Sequence, residues 1–173
     1  MLNQSERRIL IDKLINNREI LLDLIQNFSN DQLVNRKQDG DRTPKGMLFH
    51  IADTENNYVW NWAKRSRDEK KPDLSNIPNE SNSNTTTQLF EEANEWDTDL
   101  LTEKLRVIRE STLRFIAETN DAEFDLLGKN SPFGDLTVHQ FLKSLYRHDQ
   151  MHINELTGKE QTIIITGADG QQL

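Results

Sequence analysis

Two histidines stand four residues apart in YRHDQMHINEL (146–156), His148 and His152. Each residue of an α-helix turns by about 100°, so positions i and i+4 share a face, and two imidazoles at that spacing can grip one metal ion. The chain has only two other histidines, His50 and His139. His139 points roughly opposite to His148 and is expected on a solvated outer face. His50 lies in a separate helical segment, along the edge of a stripe formed by Met47, Ile51, Thr54, Tyr58 and Trp62. When two helices of a bundle press together, an inward histidine on one can meet a pair on the other, which is how bundles commonly build metal sites. The plainer alternative is a hydrogen-bonded core histidine at position 50 and a pair that holds nothing. The pattern alone leaves both open.

The chemistry of such a trio is specific. Three neutral imidazoles and no thiolate leave a divalent ion with open positions, the catalytic rather than the structural pattern. An ion held that way lowers the pKa of a bound water or of an incoming thiol, giving hydrolysis in one case and thiol transfer in the other. Zinc, nickel, iron and manganese all accept these ligands. Two carboxylates are candidates to assist as catalytic residues. Asp149 projects toward the apolar side of its helix, where an unpaired carboxylate is costly. It either orients a ligand histidine or pairs with a cation of another helix, such as Lys13. Glu55, one turn beyond Ile51, is either a general base acting through water or a surface glutamate. Tyr58, Trp62 and Trp96 read as core rather than as a substrate platform. Phe49 and Trp60 fall on the back of their helix and mark either a contact between two copies in a homodimer or the packing surface for a third helix.

The elements that must position these residues are helical. Ile9, Leu10, Lys13, Leu14, Leu21, Leu24, Ile25 and Phe28 recur at three- and four-residue steps and predict a helix from about Ser5 to Phe28. Ser29 and Gln32 form a capping box for a short helix before the DGD turn. Thr43 as cap and Pro44 at the first helical position open a second long helix reaching about Arg67, with a basic end matched to the helix dipole. A polar Asn/Ser-rich stretch at 72–87 is either a loop over a site or a plain connector. A third helix is expected over 88–118, with Leu89, Ala93, Trp96, Leu100, Leu101, Leu105 and Ile108 inward. GKNSPFGD is expected as loop. Thr137 and Gln140 cap a fourth helix ending near Gly158. The fold class that follows is all-α: a four-helix bundle over 1–158 with a long crossover loop between helices 2 and 3, then an irregular tail over 159–173 that carries the β-prone run Ile163–Ile165.

Composition narrows the partners. A net charge of −8 argues against nucleic acid, which demands a basic surface. The absence of cysteine removes disulfides, thiolate ligands and a cysteine nucleophile. No stretch approaches the roughly 18 apolar residues of a membrane helix, and the N-terminus has no signal-peptide core, so a cytoplasmic protein acting on a small-molecule substrate is the expectation.

Two segments resemble a known family. TPKGMLFHIADTE (43–55) is similar to the second-helix motif of the DinB-like superfamily, and FGDLTVHQFLKSLYRHDQMHINEL (133–156) is similar to its last-helix motif, built on H-x-x-x-H. Their order and spacing and the four-helix plan agree over essentially the whole chain. The resemblance implies a divalent metal held by His50, His148 and His152. It also implies an enzyme that transfers a low-molecular-weight thiol to an electrophile or, as the alternative, a metal-dependent hydrolase. A non-enzymatic, stress-related binding module is the rival from another class. Glu155 stands where such proteins often carry Gln, and its spacing from His152 leaves it either beside the site or in solvent. The isoleucine-rich tail has no counterpart in the resemblance.

Overall fold

A computed structural model describes residues 2–35, 42–77, 91–131 and 133–160. Helix α1 (Gln4–Gln26) is opened by a capping box in which Asn3 and Glu6 satisfy one another's backbone N–H groups. Ser29 and Gln32 do the same for α2 (Asn30–Val34). Thr43 caps α3 (Pro44–Asn57), which continues unbroken through a π-helical segment (Tyr58–Ala63) into α4 (Lys64–Asp68). The long second helix of the sequence reading is therefore present, with one wide turn that its spacing did not announce. Helix α5 (Thr98–Glu118) and helix α6 (Val138–Thr157) complete the bundle. Thr137 and Gln140 cap α6 at its start, and Gly158, in the left-handed conformation at φ 70°, ends it.

Going round the bundle, α6 packs between α1 and the α3/π segment, and α5 closes the ring between α3 and α1. No described helix is long and apolar enough to cross a membrane.

Three sequence expectations are corrected. The third helix is interrupted rather than continuous: residues 91–92 are helical, Ala93–Glu95 forms a 3-10 turn, Trp96 is extended, and Asp97 caps the long helix that starts at Thr98. Leu100, expected inward, is largely exposed; Leu89 and the run Ile163–Ile165 lie outside the described residues. The GKNSPFGD segment is not plain loop. Its residues build most of a hairpin of β1 (Leu127–Ser131) and β2 (Gly134–Thr137), pairing Leu127 with Thr137 and Gly128 with Leu136. The hairpin leads straight into α6 and packs on its first turns.

Gly128 is required there by space. A Cβ on it would lie 2.2 Å from Ser66 Oγ and 2.5 Å from Leu74 Cδ1, both fully buried. Gly128→Ala is expected to destabilise the fold by about 1–3 kcal/mol, the usual cost of overpacking, read from the urea midpoint at unchanged m-value.

The apolar core is in two parts. One gathers Leu10, Leu14, Trp62, Phe124, Phe141 and Leu145; the other gathers Leu21, Ile25, Leu48, Ile51, Leu105 and Ile153. Along each bundle helix the chain passes from one part to the other through a buried polar residue: Arg18 in α1, Glu55 in α3, Arg109 in α5 and Asp149 in α6. These four meet.

Candidate metal centre

The start of α3 is fastened before His50 is reached. Thr43 accepts from the Gly46 N–H, and Lys45 Nζ donates to the carbonyls of Asn94 and Trp96 at 3.1 and 2.7 Å. Phe49 is buried edge-on against Trp96, with ring centroids 5.3 Å apart, so it serves packing by the segment before α5; Trp60 remains substantially exposed. With the helix so anchored, His50 on its inner edge points at α6.

His50, His148 and His152 come together. His148 Nε2 is 3.1 Å from His50 Nε2 and 3.0 Å from His152 Nε2, and the three rings stand steeply tilted to one another. Among the described residues this is the cluster of His, Cys, Asp and Glu ligand atoms close enough to share an ion. His139, expected on a solvated face, is half-buried and takes no part in it.

The arrangement fits a cation. Nitrogens each about 2.0–2.1 Å from a shared ion lie about 2.9 Å apart at right angles and about 3.4 Å apart at a tetrahedral angle. The observed separations fall between the two. Proton counting points the same way. Glu155 Oε2 lies 2.9 Å from His152 Nδ1. A carboxylate can only accept, so that Nδ1 carries the proton and His152 Nε2 presents a lone pair to the cluster. One N–H on His148 Nε2 satisfies one of its two neighbours, whereas a cation at the centre satisfies all three nitrogens at once.

The electrostatics leave His50 and His148 able to bind a cation. Burial, then the charge of Arg42 and the nearness of His152, push the His50 imidazolium down to about 3. Burial pushes His148 well down too, followed by its two histidine neighbours and by Arg18 and Arg42. Both are therefore neutral at pH 7, the form that binds metal. Glu155, on which the sequence was open, is at the site: its outer edge meets solvent while its carboxylate holds the His152 ring. That contact fixes the tautomer and makes the imidazole a stronger donor. The signal was its place three residues after His152 on the same helix face.

Asp149 and Glu55 are engaged elsewhere. Of the two readings of Asp149, the ion pair with a cation of another helix is the one observed, with Arg18 and Arg109 in place of Lys13. Its oxygens accept from Arg18 Nε at 3.1 Å, Arg18 Nη2 at 3.0 Å and Arg109 Nη2 at 2.9 Å. Glu55 is not at the surface. It is 1% exposed and accepts from Arg109 Nε at 2.8 Å, Arg109 Nη2 at 2.9 Å, Arg18 Nη2 at 2.6 Å and the Thr112 hydroxyl at 2.6 Å. A carboxylate so fully engaged has no lone pair in reserve for a base's work. The sequence reading missed Arg18 and Arg109. Their signal was a cation on the apolar stripe of each helix, Arg18 four after Leu14 and Arg109 four after Leu105.

The comparisons with known proteins agree with this fold. Residues 13–156 match the family model of the DinB superfamily. The fold is similar to that of YfiT from Bacillus subtilis, with a TM-score of 0.74 at 17% identity, over 91% of this chain and 87% of that one. That protein is described as "a probable metal-dependent hydrolase with an unusual four-helix bundle topology". No curated protein matches the chain. With the family model spanning all four bundle helices and two of the three clustered histidines on its last helix, the chain belongs to the DinB superfamily.

Proposed function

We propose that this protein is a metal-dependent enzyme acting on a small molecule, with His50, His148 and His152 as the ligands of a divalent ion. The observation that carries the reading is the convergence of three Nε2 atoms from two helices. A divalent ion there supplies Lewis acidity, lowering the pKa of a thiol or a water that reaches its open positions. The chain's own residues do the rest. His50 and His148 are kept neutral, Glu155 holds the His152 ring in one tautomer, and among the described residues no carboxylate joins the three histidines as a ligand.

The nucleophile in this reading is a low-molecular-weight thiol, added to an electrophile. The motif resemblance supports it, and a chain without cysteine has no thiolate of its own to compete for the ion. A second reading, hydrolysis, is favoured by the likeness to YfiT and its description. Nucleic acid is a poor partner for a chain of net charge −8.

The test is metal content and affinity of the wild type beside His50→Ala and His152→Ala, followed by turnover with and without a chelator. Wild type is expected to bind about one ion and both variants to bind it much more weakly, His50→Ala keeping the residual affinity of the His148/His152 pair. Chelator-sensitive consumption of a thiol with an activated electrophile supports the first reading, and chelator-sensitive cleavage of an activated ester without thiol supports the second. Stoichiometric metal with neither turnover returns the binding-module alternative.

A further inference from the structure

We infer that the buried quartet of Arg18, Glu55, Arg109 and Asp149 is a positioning device that sets the gap between His50 and the α6 histidines; the inference rests on the proposed metal site. The quartet takes one residue from each bundle helix, and its members are 1–4% exposed. It closes on itself, because Nη2 of each arginine bridges both carboxylates. The two arginines also clasp α1 to α5 reciprocally. Arg18 Nη1 donates to the Leu105 carbonyl, one turn before Arg109, and Arg109 Nη1 donates to the Leu14 carbonyl, one turn before Arg18.

Its place relative to the ligands gives the layer its use. Asp149 directly follows His148 in α6. Glu55 lies five residues after His50 in α3, about 7.5 Å along the axis at 1.5 Å per residue. The same two guanidinium groups hold both carboxylates, so α3 is fixed against α6 close to the point where His50 Nε2 must stop 3.1 Å from His148 Nε2.

Apolar packing does not supply that precision unaided. It is non-directional, and the core above and below the quartet rewards burial more than register. Charge-assisted, bidentate arginine–carboxylate contacts are directional. Metal-ligand geometry tolerates only about 0.2 Å. The quartet also has no net charge, two cations against two anions, so it aligns the ligands without adding a charge beside the ion. Such a layer is a weak contributor to stability compared with apolar residues of the same volume, and registry is the best-attested use of buried ion pairs.

The experiment uses the neutral pair Glu55→Gln/Arg109→Met, which removes one charge of each sign and leaves the Arg18–Asp149 pair in place. Thr112→Val, which deletes a single hydrogen bond to Glu55, is the milder companion should the pair fail to fold. Zinc affinity is measured by competition with a chromophoric chelator, on protein shown by circular dichroism to be folded in the metal-free state. The pair is expected to lose about 10- to 100-fold in affinity, the range seen when the groups supporting a ligand are removed, and Thr112→Val a few-fold. The decisive comparison repeats both in a His50→Ala background. If the quartet acts by placing His50, it has nothing left to place there, and the same changes should then alter affinity less than twofold. Wild-type affinity in the folded variants, or an equal loss with and without His50, overturns the inference while leaving the metal site standing. Failure of the wild type to bind zinc removes both.

Discussion

His148→Ala should leave the protein folded and deprive it of its metal, with affinity falling by roughly a hundredfold or more. His148 is the middle of the cluster, since its Nε2 is the atom from which both other Nε2 distances, 3.1 and 3.0 Å, are measured. Removing a group that merely supports a ligand costs about 10- to 100-fold in metal affinity, so removal of the central ligand should reach at least the upper end. The stabilisation that metal confers should vanish with it. A site loaded at 100 times its dissociation constant adds about 2.7 kcal/mol to the unfolding free energy. Wild type should therefore melt higher with zinc than with a chelator, and His148→Ala should melt at one temperature under both conditions. Equilibrium dialysis with metal analysis, paired with those melts, checks both halves. Retention of one tightly bound ion by His148→Ala would place the metal elsewhere.

Arg109→Ala should be the most destabilising of the changes considered, costing about 3–5 kcal/mol. The penalty for breaking a buried ion cluster is the charge left behind, here two carboxylates sharing one remaining guanidinium. At 2–4 °C per kcal/mol for a chain of this size, the melting temperature should fall on the order of 10 °C. The paired change Glu55→Gln/Arg109→Met should recover much of that loss, because it leaves no unbalanced charge.

Acid probes the same layer. Burial alone would push the Glu55 carboxyl up. The charges of Arg109 and Arg18, with their hydrogen bonds and that of Thr112, outweigh it and hold the group at about 2, against 4.5 when unperturbed. The unfolded chain therefore takes up the proton first as pH falls. The stabilisation from Glu55 is fully present above about 4.5 and is lost progressively toward 2. Urea midpoints from pH 7 to 3 should show a decline over that window that is shallower in Glu55→Gln. Equal slopes in the two proteins would mean that other groups govern acid unfolding.

Both predictions turn on residues whose legibility in the sequence differed, and the difference has a physical basis. Local signals were read well because they are local. The capping pairs Ser29/Gln32 and Thr137/Gln140, the Thr43–Pro44 start and the Gly158 stop depend on atoms within four residues of one another. So does the i,i+4 pairing of His148 with His152. Apolar periodicity gave the long helices and hence the all-α class. It ran through the break before α5, because an apolar stripe continues through Ala93 and Trp96 although the backbone there tightens to 3-10 and then extends, and the cap that decides the matter is the single residue Asp97.

What the sequence by itself determined is the four-helix plan and which histidines face inward. Whether His50 reaches the α6 pair depends on helix order and on a register of a few tenths of an ångström between segments some hundred residues apart, and no local pattern carries that. The tertiary structure also decided the fate of the carboxylates. Asp149 falls on the apolar side of its helix by spacing alone, whereas Glu55 reads equally as a surface residue, and Arg18 and Arg109 stand out only as cations among apolar neighbours. A charge on a stripe, however, only says that a partner must exist. Only the folded bundle names it, because the four complete one another's hydrogen bonds at the level where all four helices meet.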